Sequence, residues 1–197
     1  YRTYQVVPSS TASGVQTGLS VSQNSLSNDK YTVTIDRNGD ISSIYDKETS
    51  KELLNNPIRL GLFNNGYVYW AAWELNFDSY AFKTADDYVS ATPTLEVVEN
   101  GPARVAVKIT RSYGESTYEQ TVSLTAGGQI VTVDNLVDWQ ESGKFLKAEF
   151  DLTSSNPTAT YDLGLGAIQR GNNERQQSDT VGQNKAEVPL QKWADLS

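Results

Sequence analysis

The chain has 197 residues, 38% of them hydrophobic, enough to bury one sizeable core, so a single large domain is the default expectation. With 24 acidic residues against 16 basic ones and a net charge of -8, the surface repels phosphate backbones and anionic headgroups, which argues against nucleic acid and membrane as partners. Histidine and cysteine are both absent, so no Ser-His-Asp triad, thiolate nucleophile, disulfide framework or His/Cys zinc site can be built from these residues alone, and carboxylates are the remaining catalytic or metal-ligating groups.

The N-terminal stretch Tyr1-Arg2-Thr3-Tyr4 lacks the apolar run of a secretion signal, and no segment is long and apolar enough for a membrane-spanning helix. A cytoplasmic location is the expectation. Methionine is absent too, which favours an internal piece of a larger polypeptide over a processed chain.

Residues 8 to 29 are rich in Ser, Thr, Gly and Gln and read as a lead-in with one short strand around Leu19 to Val21, so residues 1–25 are taken as a linker and 26–197 as the folded domain. Tyr31, Val33 and Ile35 then alternate with Thr32, Thr34 and Asp36, and Asn38-Gly39 turns the chain before Ile41 and Ile44. That pattern predicts a hairpin pairing Tyr31 to Asp36 with Asp40 to Tyr45. Thr49 to Asn55 has room for one helical turn, but no stretch sustains a helical stripe.

Period-two alternation recurs at Val105, Val107 and Ile109, at Val122 and Leu124, at Val131 and Val133, and at Leu146, Ala148 and Phe150. Turn residues separate these runs at Asn100-Gly101-Pro102, Tyr113-Gly114-Glu115, Ala126-Gly127-Gly128, Ser142-Gly143 and Ser154 to Pro157. Residues 170 to 186 read as a long surface loop before Val188 and Leu190. The fold class these elements build is all-β, a large antiparallel β-sandwich.

Aromatic residues carry the strongest hint of a site. Tyr67, Tyr69, Trp70 and Trp73 crowd into one segment, followed by Glu74, Phe77, Asp78 and Tyr80. Flat rings beside carboxylates suit sugars, whose axial C–H groups pack on the rings while their hydroxyls bond outward, so Tyr69, Trp70, Trp73 and Glu74 are the candidate substrate-binding residues. Capping of a sandwich core is the plainer reading of any single ring.

Glycoside chemistry needs two carboxylates at a set separation. Asp36, Asp46, Asp78, Asp86, Asp87, Asp134 and Asp138 mostly flank turns, where Asp bonds its own backbone, so no catalytic residue is assigned. The Asp86-Asp87 pair reads as a solvated loop. Asp36-Arg37-Asn38-Gly39-Asp40 looks at first like a calcium loop, but a strand follows where a helix is required, so no metal ligand is assigned either. Asn135 and Asp138 remain candidates for the lining of a cleft.

Taken in order, certain motifs resemble a known family. Asn28 to Leu53, NDKYTVTIDRNGDISSIYDKETSKEL, then Glu99-Asn100-Gly101-Pro102-Ala103-Arg104, Val137-Asp138-Trp139-Gln140-Glu141, Lys144-Phe145-Leu146-Lys147-Ala148, Val188-Pro189 and Trp193-Ala194-Asp195-Leu196-Ser197 are similar to successive landmarks in the C-terminal region of glycoside hydrolase family 38 α-mannosidases of the bacterial and cytosolic branch. The resemblance runs over about residues 26 to 197. It departs at Ala71, which stands where the family's Tyr-Trp-Asp-Ala-Trp-Asp motif has its first Asp, and at Gly171-Asn172-Asn173 after Ile168-Gln169-Arg170.

The resemblance implies a galactose-mutarotase-like supersandwich that continues in further strands past Ser197. It also implies a parent exoglycosidase that cleaves terminal α-D-mannosides with retention, through an N-terminal barrel carrying zinc and an Asp nucleophile. In that reading this chain has no cofactor of its own, the catalytic barrel and a mannose-containing carbohydrate are its partners, and the chain supports the barrel and completes the substrate cleft. A stand-alone carbohydrate-binding module and a purely structural interaction domain are the alternatives.

Overall fold

The computed structural model describes residues 1–5, 7–8, 10–11, 14–65, 84–171, 176–177, 184–185 and 190–196. Among them every regular element is a strand. A five-stranded antiparallel sheet holds β1 (Ser20–Ser22), β2 (Ser25–Ser27), β3 (Tyr31–Ile35), β4 (Ile41–Asp46) and β5 (Lys51–Glu52) in sequence order. β6 (Arg59–Asn64) lies between β7 (Asp87–Tyr88) and a strand from much later in the chain, β12 (Lys144–Glu149). The four-stranded sheet is built from β8 (Thr94–Asn100), β9 (Arg104–Tyr113), β10 (Ser116–Thr125) and β11 (Thr132–Asp138), in the order β11-β10-β9-β8. Near the end, β13 (Thr158–Asp162) pairs with β14 (Ala167–Gly171) and β17 (Ala194–Asp195), while β15 (Gln176–Gln177) pairs with β16 (Asn184–Lys185).

The alternation read from the sequence sets the layers. Leu26, Val33, Ile35 and Ile41 of the five-stranded sheet, with Leu54, pack on Val105, Val107, Ile109, Val122 and Leu124 of the four-stranded one. Each such buried side chain contributes about 1.5–3 kcal/mol of transfer free energy. Further along β10, Tyr118 packs with Leu60 and Leu62 of the three-stranded sheet and with Val89 just after β7, flanked by Tyr113, Trp139 and Leu146. An isolated bridge between Ile41, at the start of β4, and Ile58, just before β6, ties the five-stranded sheet to the three-stranded one. The long strands β9 and β10 therefore underlie both sheets, and the whole is a two-layer antiparallel sandwich.

The predicted hairpin is present, with Tyr31 opposite Asp46 and Val33 opposite Ile44. Its turn is wider than a two-residue Asn-Gly loop. Gly39 alone takes the positive φ, 79°, and its N–H donates to the Asp36 carbonyl at 3.0 Å, while the Asp36 carboxylate accepts from the Asn38 and Asp40 amides at 2.8 and 3.0 Å. The Asp side chain thereby replaces ladder bonds that a tighter turn makes through the backbone. A β-carbon on Gly39 would come within 2.9 Å of Ile109, so the turn presses directly on β9. The β9–β10 connection is the tight one: Tyr113 faces Ser116 across Gly114-Glu115, with Gly114 at φ 55°.

Three expectations need revision. Within Thr49 to Asn55 the chain turns at Ser50, φ 56°, and enters β5 and a Leu54–Leu152 bridge, so the segment is extended rather than helical from Lys51 on. The stretch 170 to 186 is not all loop: Arg170 and Gly171 belong to β14, and Gln176–Gln177 pairs with Asn184–Lys185. Asp87 lies in a strand, opposite Leu62, and only Asp86 remains outside it.

Two polar side chains fasten the sheets. Asn28, fully buried, accepts from the Lys30 and Tyr31 amides and donates to the carbonyls of Thr125 and Gly128 in the β10–β11 turn. Glu52 accepts from the Ser43 hydroxyl at 2.5 Å and from the amides of Ile44, Leu53 and Leu54 at 2.9–3.0 Å. Burial pushes the Glu52 carboxyl up, but the Ser43 and backbone donors outweigh it and hold the group below its ordinary value of 4.5.

A depressed carboxyl stabilises the fold only when ionised, so its contribution is complete above pH 4.5 and disappears as pH falls through that value toward the folded one. Replacing Glu52→Gln should therefore cost about 1–3 kcal/mol near neutral pH, measured by urea unfolding. The gap to the unaltered chain should narrow in acid. An equal gap at about pH 3.5 would show that the charge plays no part.

Candidate functional site

A cleft of 460 Å³ opens beside the β3–β4 turn. Asp36, Asn38 and Asp40 line it from the turn, Asn56, Pro57 and Arg59 from the approach to β6, Thr84 and Tyr88 from β7 and its lead-in, and Glu149 and Asp151 from the exit of β12. Four carboxylates, two amides, a guanidinium and a phenol in one concavity make a polar, hydroxyl-compatible surface.

The charges are largely committed to one another. Asp36 is held by the turn amides, and Asp151 accepts from the Asn56 side-chain amide at 2.5 Å and from that of Asn55 at 3.4 Å. The Arg59 guanidinium lies 3.5 Å from the centre of the Tyr88 ring, and its Nε sits 3.5 Å from Asp40. Burial raises the Tyr88 hydroxyl above its usual value, helped by the charge of Glu149 and a hydrogen bond to it. Gly61 completes this wall, since a β-carbon there would come within 2.9 Å of both Ala85 and Glu149.

Behind the cleft is a buried ion pair. Arg111 projects from the inner face of β9, in the same alternation as Val105, Val107 and Ile109, and is 1% exposed; Asp40 is 4% exposed. The Arg111 Nη1 donates to the Asp40 carboxylate at 2.6 Å, to the Val89 carbonyl at 3.2 Å and to the Asn38 carbonyl at 3.3 Å, while its Nη2 donates to Gln120. Gln120 passes the chain on to Asn135 at 2.9 Å. Burial pushes the Asp40 carboxyl above the ordinary aspartate value, and the bond to Arg111, with the charges of Arg111 and Arg59, opposes it.

The sequence-derived candidates fare unevenly. Tyr69, Trp70, Trp73 and Glu74 lie outside the described residues, as does Asp78. The two ends of that segment are close together: the Asn64 amide donates to the Asp86 carboxylate at 2.7 Å, the Asp86 amide donates to the Leu62 carbonyl at 2.9 Å, and Thr84 reaches the cleft. Asp46 caps its own turn through the Glu48 and Thr49 amides, Asp134 is near Arg104, and Asp138 accepts from Gln140. Asn135 does line a cavity, though an apolar one away from the acidic cleft.

Arg59, Tyr88, Arg111, Glu149 and Asp151 do not figure in the sequence reading, and Asp40 enters it only as part of the β3–β4 turn. Among the first five, Arg111 alone left a trace in the sequence, a charge at an inward position of an otherwise apolar alternation. No grouping of three or more Asp or Glu side chains suited to a metal ion occurs among the described residues, so zinc does not fit here.

Changing Arg111→Met strands the Asp40 charge in the interior and should lower stability by about 3–5 kcal/mol, read from chemical unfolding. Adding Asp40→Leu should recover most of the loss, because it removes the carboxylate left in the interior, while the half-exposed Arg59 keeps its contact with the Tyr88 ring. A double variant as unstable as the single one would show that Arg111 acts through packing and its other bonds rather than through the pair.

Against known proteins, the model for the glycosyl hydrolases family 38 C-terminal domain matches residues 26–197. Alpha-mannosidase G of Dictyostelium discoideum is 25% identical over 181 residues, covering 87% of this chain and 16% of that protein. Alpha-mannosidase 2C1 of Mus musculus and that of Homo sapiens are each 31% identical over 137 residues, 69% of this chain and 13% of theirs. The match thus spans only a small fraction of these relatives' length.

Proposed function

The chain belongs to the glycosyl hydrolase family 38 C-terminal domain family, and we propose on that premise that it is the non-catalytic β-sandwich module of a larger α-mannosidase. The observation that carries this reading is the family match over residues 26–197 coupled with relatives named as α-mannosidases, of which the matched part is 13–16%. The absence of His from the chain agrees with it, since zinc and the nucleophile would then belong to a catalytic barrel elsewhere in the parent polypeptide.

In this reading the parent hydrolyses terminal α-D-mannosides with retention, and the sandwich holds the barrel and completes the substrate cleft. Tyr69, Trp70, Trp73 and Glu74 are the residues proposed to meet the sugar. What supports their placement is the pinched base of their segment at Asn64 and Asp86, with Thr84 on the rim of the acidic cleft. The cleft's own carboxylates are poor candidates for chemistry because each already has a partner.

Incubated with a chromogenic α-mannoside, the 197-residue chain should release no product, whereas the longer polypeptide carrying it should do so and lose activity with a chelator. Chelator-sensitive hydrolysis by the short chain would overturn the proposal. Tight binding of mannose oligosaccharides by the short chain would instead favour a stand-alone carbohydrate-binding module.

For the aromatic segment, Trp73→Ala in the longer polypeptide should lower kcat/KM by about tenfold, the equivalent of ~1.4 kcal/mol of lost stacking. The melting temperature of the short chain should move little. Collapse of the short chain's stability without a separate kinetic defect would make Trp73 a core residue.

A further inference from the structure

We draw no further inference here: the strongest candidate, the acidic cleft beside the β3–β4 turn, is a cluster of carboxylates already committed to amides, arginines and a phenol, and neither of the buried unpartnered groups among the described residues, the Arg111 Nε and the Tyr118 hydroxyl, belongs to its lining to show what it would bind.

Discussion

The ion pair of Arg111 and Asp40 is the constraint on which the arrangement of the sandwich depends. An arginine on the inner face of β9 is unfavourable unless its donors find acceptors, and three separate pieces of chain supply them: the β3–β4 turn through Asp40 and Asn38, the segment after β7 through Val89, and β10 through Gln120. The placement of those pieces gives both terminal nitrogens of the guanidinium an acceptor, and leaves only its buried Nε without one. A shift of β9 by one residue would turn Arg111 to the solvent and drive Lys108 or Thr110 inward, where nothing waits for them. The pair thus adds little net free energy while making the alternatives to the native packing costly.

Asn28 and Glu52 play the same part at other seams with less at stake. Asn28 couples the entry of the five-stranded sheet to the turn between β10 and β11, using both of its amide donors and its acceptor. Glu52 gathers the amides where the chain leaves that sheet. These groups join loops that the hydrophobic core alone would leave free to slide, because apolar contact has no direction and hydrogen bonds do.

Much of this was visible in the sequence wherever one face of a strand is dry and the other wet. β3, β9 and β10 alternate cleanly, and β4 is legible through the turn that joins it to β3. β6 was not, and the reason is physical: Leu60, Gly61, Leu62 and Phe63 are all buried, so a strand covered on both faces shows no alternation. β5 and β7 are two residues long and leave no periodic signal at all. The acidic cleft was illegible for a different reason. Its walls come from positions near 36–40, 56–59, 84–88 and 149–151, and no local pattern announces that these will meet. The family resemblance supplied the class of protein, but the commitment of the cleft's carboxylates to arginines and amides follows only from the packing.

The pairing of β6 with β12 has a bearing on how the chain is made. Lys144 bonds to Asn64 across 80 residues of sequence, Asn55 reaches Leu152 across 97, and Asn28 reaches Thr125 across 97. A ribosome delivers the early halves of all these contacts long before the late ones. At the moment β6 emerges it has neither β12 on one side nor β7 on the other, and its run of Leu60 to Phe63 is as sticky as any in the chain. Closure must therefore wait for the second half of the domain, and until then the apolar face of β6 stays without its partner strands.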